Sequence, residues 1–124
     1  MKDIYFPPRE LAVMSVLWRL GSASVSDVRD ALEEDLAYTS VLSALQKLEE
    51  KGYVRHEPEG RAYRYFATVG ADRAGGSALA RIREAIFQGS AERMFAQMVA
   101  DKKLGRKELE QMRQLLAERL GEKP

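Results

Sequence analysis

The sequence predicts a mainly α fold with a small β-hairpin wing: an N-terminal winged helix-turn-helix followed by a C-terminal helical dimerisation region. Three observations predict it. A short helix, a turn and a longer helix follow one another from Ser24 to Lys51, and the longer one shows small polar residues on one side. A hairpin bearing Arg55, Arg61 and Arg64 comes directly after Gly52. Beyond Val69-Gly70 every apolar pattern has the helical period. That change divides the 124 residues into a winged domain, 1–70, and a helical domain, 71–124.

The first helix is expected from Pro8 to Leu20. Proline in the first turn supplies a preset φ and gives up no needed hydrogen bond. Leu11, Met14, Leu17 and Trp18 fall on one apolar face, which Val13, Val16 and Leu20 broaden. Gly21 stands where a left-handed C-cap belongs. Ser24 is the expected N-cap of the second helix, its oxygen taking the free amide of Asp27. Val28, Ala31 and Leu32 form the inner stripe, and Glu33-Glu34-Asp35 ends the helix in a polar turn.

The third helix is expected from Tyr38 to Lys51. Val41, Ala44, Leu45 and Leu48 recur at i, i+3, i+4 and i+7 as its core face. Its other face shows Thr39, Ser40, Ser43, Gln46, Lys47 and Glu50. Tyr53 to His56 reads as a strand, Pro58-Glu59-Gly60 as the turn, and Arg61 to Phe66 as the return strand. Three more helices follow. One runs from Asp72 to Gln88 with Leu79, Ile82, Ile86 and Phe87. The next spans Ala91 to Ala100, with Met94, Phe95, Met98 and Val99 inward. The last spans Lys107 to Leu120, with Leu109, Met112 and Leu116 on one stripe. Gly75-Gly76 weakens the first of these, since each glycine costs about 1 kcal/mol relative to alanine. Gly89-Ser90 and Leu104-Gly105 are the breaks between them.

Composition narrows the function. Hydrophobic residues at 45% and charged residues at 31% fit a soluble globular chain. No apolar run approaches the ~18 residues of a membrane span. Met1 to Pro8 contains no signal-peptide core, so a cytoplasmic protein is expected. The absence of cysteine removes disulfides, thiolate metal sites and cysteine nucleophiles together. Neither a phosphate-binding loop nor a nucleophile motif is present, so no catalytic residue, no metal site and no cofactor is expected. His56 is the only histidine, and one histidine without a ligand cluster reads as a surface strand residue. Glu33-Glu34-Asp35 reads as a solvated helix end rather than a metal site. Trp18, Met94, Phe95, Met98 and Met112 read as core or subunit interface rather than the lining of a ligand pocket.

The polar face of the third helix and the hairpin arginines point to double-stranded DNA. A helix in the major groove needs small or hydrogen-bonding side chains near its N-terminus. Thr39, Ser40 and Ser43 suit phosphates or base edges; Gln46 suits adenine; Lys47 suits phosphate or guanine. The expected DNA-binding set is Tyr38, Thr39, Ser40, Ser43, Gln46, Lys47, Arg55, Arg61 and Arg64, with Arg61 at the wing tip as the preferred phosphate contact. Two plainer readings stand beside it: a solvated helix face, and arginines paired with Glu57 and Glu59. Net charge does not carry the case. Residues 1–70 hold nine Lys+Arg against eleven Asp+Glu, while residues 71–124 hold eleven against eight. DNA binding therefore requires the acids to be turned away from the phosphates. A winged-helix adaptor that binds protein instead of DNA is the rival function, favoured by that acidic balance.

The last 54 residues are too few to bury a core alone. Two copies covering each other's Leu79, Ile82, Phe95, Met98, Leu109, Met112 and Leu116 would form a homodimer. A two-fold dimer would also present two recognition helices to a palindromic site.

These residues resemble a known family. Glu10-Leu11-Ala12-Val13-Met14-Ser15-Val16-Leu17-Trp18 is similar to the opening of the penicillinase repressor family, the BlaI/MecI/CopY type. Ala37 to Leu42 with Leu45 to Gly52 resembles its recognition helix, and Gly60-Arg61-Ala62-Tyr63-Arg64-Tyr65 resembles its wing. The resemblance implies a bacterial homodimeric repressor that binds dyad operators built on TACA/TGTA half-sites. In the family's antibiotic-responsive branch a membrane sensor protease, acting as inducer, triggers cleavage between an Asn and a Phe. Gln97-Met98 stands at that place here, so the resemblance does not extend to that bond. The copper-responsive branch uses C-terminal cysteines, which this chain does not have.

Overall fold

The computed structural model describes residues 3–123. The chain falls into two compact units, one reaching Leu79 and the other beginning at Ala80. The first contains α1 (Pro8–Leu20), β1 (Ser22–Ser24), α2 (Val25–Ala31), α3 (Tyr38–Glu50), β2 (Val54–Glu59) and β3 (Ala62–Ala67), and the division falls inside α4 (Ala71–Ala85).

α1 starts on Pro8, and Gly21 at φ 86° lets its amide close on the Leu17 carbonyl at 2.8 Å. Its buried arc is Val13, Met14, Val16 and Leu17, which also carries Glu10 inward. Leu11, expected on that face, is 46% exposed because it lies off the arc set by those four side chains. Glu10 is tolerated inside because the Lys51 ammonium donates to its carboxylate at 2.8 Å, tying the first turn of α1 to the end of α3.

α2 begins with a complete capping box. Ser24 Oγ accepts from the Asp27 amide at 3.1 Å, and the Asp27 carboxylate accepts from the Ser24 amide at 3.2 Å. α3 buries Val41, Ala44, Leu45 and Leu48, the face its periodicity predicts. Gly52 at φ 85° lets the Tyr53 amide reach the Leu48 carbonyl at 2.9 Å, so the chain leaves the helix directly into β2.

The sheet is antiparallel with strand order β1-β3-β2. The β2–β3 hairpin is tighter than the sequence predicts. Glu59 pairs with Ala62, so the loop is Gly60-Arg61 alone, with Gly60 at φ 63°. Pro58, expected in the turn, lies inside β2 opposite Tyr63. An edge strand tolerates it, because its missing N–H can face solvent. β1 is an addition to the expected two strands. At three residues it is too short to show alternation, and only pairing with β3 makes it a strand.

The core of this unit gathers Met14, Leu17, Val28, Val41, Leu45 and Leu48. Phe6 packs edge-on to Trp18 at 6.0 Å and to Tyr53 at 4.9 Å. Trp18 Nε1 donates to the Val69 carbonyl at 2.8 Å.

The second unit holds the end of α4, α5 (Ala91–Val99) and α6 (Arg106–Leu120). α4 continues through Gly75-Gly76 and stops at Ala85, short of the expected Gln88. Gln88 at φ 48° and Gly89 at φ 83° turn the chain, and Ser90 caps α5 by accepting from the Arg93 amide at 3.1 Å. Gly105 precedes α6 and offers no side chain; the Glu108 carboxylate takes its amide instead, at 3.4 Å. No described residue of α5 or α6 is buried. Phe95, Met98 and Val99, expected inward, are exposed, and Met94 is half-buried.

Candidate nucleic-acid interface

With four apolar residues of α3 held in the core, the 3.6-residue period turns the rest of that helix outward. Tyr38, Thr39, Ser43, Gln46 and Lys47 are exposed, and Ser40 is half-buried. These residues form a ridge with a groove along each flank. One groove lies between Thr39, Ser40, Ser43 and Lys47 of α3 and Arg9 and Glu10 of α1. The other lies between Tyr38, Gln46 and Glu49 of α3 and His56, Arg61 and Tyr63 of the hairpin.

The hairpin arginines divide by strand register. Directly opposed residues share a face, so Arg55, Glu57, Arg64 and Phe66 stand on one side of the sheet and His56, Tyr63 and Tyr65 on the other. Arg55 donates to Glu57 at 2.7 Å and lies over the Phe66 ring at 4.3 Å. Arg64 donates to Glu59 at 3.0 Å and to Ser22 Oγ at 3.1 Å, with Asp27 at 3.8 Å. Both lie on the face that does not meet the groove along α3. Arg61, in the two-residue loop, is exposed and forms no ion pair among the described residues.

The tyrosine face joins the wing to α3. His56 Nδ1 lies 2.7 Å from the Glu49 carboxylate, and its ring meets Tyr63 edge-on at 4.6 Å. The sequence alone assigns His56 no such partner; Glu49 reaches it from a different element, which proximity along the chain does not reveal. Burial, then the charge of Glu49, raises the Tyr65 phenol above its ordinary value, so it stays neutral beside that pair. Four of the acids near α3 are occupied in the same way. Asp27 caps α2, Glu34 meets Arg9 at 3.4 Å, Glu49 meets His56, and Glu10 meets Lys51. Several side chains absent from the expected set therefore border the α3 face, among them Arg9, Glu10 and Glu34 on one flank and Glu49, His56 and Tyr63 on the other. Arg9, a lone cation in the first turn of a helix, carries no motif that would have singled it out.

The expected interface side chains on the helices are placed as follows. Leu79 and Ile82 lie on α4, Phe95 and Met98 on α5, and Leu109, Met112 and Leu116 on α6. All are exposed except Met112, which is half-buried. Among the described residues no helix is long and apolar enough to cross a membrane, and no cluster of ligand side chains suits a metal ion.

The sequence signature of the penicillinase repressor matches residues 6–118. The chain belongs to the penicillinase repressor family. This family member is similar to the transcriptional regulator BlaI of Mycobacterium tuberculosis strain CDC 1551 / Oshkosh, at 34% identity over 113 residues, which cover 88% of this chain and 80% of the relative. BlaI of strain ATCC 25618 / H37Rv matches to the same extent. Solved structures bear on the fold. A MarR mutant from E. coli complexed with operator DNA aligns at TM-score 0.54 and 15% identity, over 93% of this chain and 76% of that one. A MarR family protein from Bacillus stearothermophilus aligns at TM-score 0.51 and 15% identity, over 93% and 78%. The repressor-family chain thus has the mainly α architecture with a β wing that its sequence predicts.

Proposed function

We propose that this penicillinase repressor family member is a DNA-binding transcriptional repressor that acts as a homodimer in the cytoplasm on palindromic, TACA/TGTA-like operators. The observation that carries the proposal is the exposed polar ridge of α3, flanked by a groove that ends at Arg61 of the wing tip. Thr39, Ser40, Ser43 and Gln46 supply donors and acceptors for base edges and phosphates, while Lys47 and Arg61 supply charge. Tyr38 stands at the start of the ridge. Arg55 and Arg64 keep a supporting place in this proposal, holding the hairpin's shape through Glu57 and Glu59. The segment 71–124 supplies the dimer contact through its exposed apolar side chains. The relative named BlaI is described as a transcriptional regulator, which agrees with this function.

A gel-shift titration tests it, with a TACA/TGTA dyad duplex and a scrambled duplex of equal length at two salt concentrations. Tight, salt-sensitive preference for the dyad is the expected result. Arg61→Ala is expected to weaken binding to both duplexes and to lower the salt slope by about one for each phosphate no longer neutralised. Gln46→Ala is expected to reduce the preference between them, by about 1–3 kcal/mol if a base edge is no longer read. The rival adaptor function is favoured by the acidic balance of residues 1–70. Weak, equal binding to both duplexes would mean that the operator is different or that the winged helix serves a protein partner, and if neither substitution changed that binding the repressor function would be overturned.

A further inference from the structure

We infer, on the footing of the DNA-binding function proposed above, that Arg9 is a phosphate-contacting residue and that α1 forms the second wall of the DNA interface. Two adjacent i, i+4 rows run along the exposed side of α3. Tyr38, Leu42 and Gln46 face the groove shared with the wing. Thr39, Ser43 and Lys47 face the groove shared with α1. A helix lying in a major groove about 12 Å wide has one sugar-phosphate strand along each flank. The wing addresses one strand through Arg61. Nothing in the expected set addresses the other from outside α3, yet Arg9 borders that groove opposite Thr39, Ser40 and Lys47.

The charges of this groove leave Arg9 available. Its present partner is Glu34, at 3.4 Å, with both side chains more than half exposed. Exposed pairs of this kind hold weakly and exchange readily for a stronger anion. A phosphate offers such an anion, and a guanidinium can bind it through two parallel N–H donors. Glu10, the other acid of this wall, is already neutralised by Lys51 at 2.8 Å and is largely buried, so it does not repel a phosphate from the groove as a free carboxylate would. Lys47, on the α3 side, has no ion-pair partner among the described residues and adds a second cation. Glu34 then acts as a competitor that holds Arg9 when DNA is absent.

The test uses the full chain with the dyad and scrambled duplexes, read by fluorescence anisotropy over a salt series. Arg9→Ala is expected to weaken binding to both duplexes by roughly tenfold, as for removal of a charge-assisted hydrogen bond. The salt slope is expected to fall by about two if two copies each release one phosphate. Arg9→Lys is expected to recover most of the slope, and Glu34→Gln to tighten binding. Arg19→Ala, which removes a cation from the far end of α1, is expected to leave affinity unchanged. If Arg61→Ala weakens binding while Arg9→Ala changes neither affinity nor slope, the second wall is refuted and the DNA-binding function stands. Equal losses from Arg9→Ala and Arg19→Ala would also refute it, because net charge rather than position would then explain the effect. A wild-type chain that binds neither duplex at low salt would overturn both together.

Discussion

The double variant Met98→Asp, Leu116→Asp is expected to sediment as a monomer and to lose tight operator binding. Met98 is 50% exposed on α5 and Leu116 46% exposed on α6. Phe95 and Leu109 on the same two helices are exposed as well, so the second unit leaves a run of apolar surface in water. Covering such surface stabilises by about 25 cal/mol per Å². A carboxylate placed in the covered region would have to be stripped of water without a partner, which opposes association strongly. In the proposed dimer two half-sites are linked, and linkage of this kind contributes roughly 10²- to 10⁴-fold in affinity, which a monomer would forgo. Sedimentation velocity and operator titration read the two effects separately. Neither side chain is buried in the protomer, so fluorescence from Trp18, the only tryptophan, is expected to report an intact winged unit. A double variant that remains dimeric with undiminished operator affinity would place the interface elsewhere.

Leu45→Ala is expected to destabilise the winged unit by about 2–5 kcal/mol. Leu45 is fully buried in the middle of α3, in the core that also holds Met14, Leu17, Val41 and Leu48. Truncation removes its transfer energy and leaves a cavity that surrounding helices close only in part. Against a total stability of about 5–15 kcal/mol the loss is large enough to lower the folded population measurably. Urea unfolding followed through Trp18 checks it. Ser43→Ala, two residues earlier on the exposed ridge, is expected to leave the midpoint nearly unchanged while affecting DNA binding. A loss below about 1 kcal/mol for Leu45→Ala would mean that α3 is not anchored through that side chain.

Helix positions are legible in the sequence because their signals are local. Pro8 and Gly21 bracket α1, Ser24 and Asp27 open α2, and a strict apolar period marks the inner face of α3. What escapes depends on partners distant along the chain. β1 exists only through its pairing with β3, and the shorter hairpin loop follows from register rather than turn composition. Leu11 reads as apolar and helical, but which arc faces inward is decided by the other elements of the core. The ridge of α3 proposed for recognition is visible as a polar stripe. Its borders are not: Arg9 comes from another helix, and the His56–Glu49 contact joins a strand to a helix.

The central place of β3 bears on how the wing meets a ligand. Ladder hydrogen bonds hold it from β1 on one side and β2 on the other, and Arg64 on β3 bonds to Ser22 of β1 and Glu59 of β2. A wing built this way is not a loose arm that must first be ordered. Its conformational entropy is surrendered on folding, so little remains to be given up on binding. The backbone amides of β3 should therefore exchange slowly with deuterium in the free protein and slow little further when DNA is added. Only the Gly60-Arg61 tip lies beyond that frame. Gly60, at φ 63°, is fixed by its backbone conformation. Substitutions at Arg61, however, can change reach and charge while the scaffold beneath stays as it is, so in the proposed interface Arg61 is the position where operator preference can drift at little cost in folding.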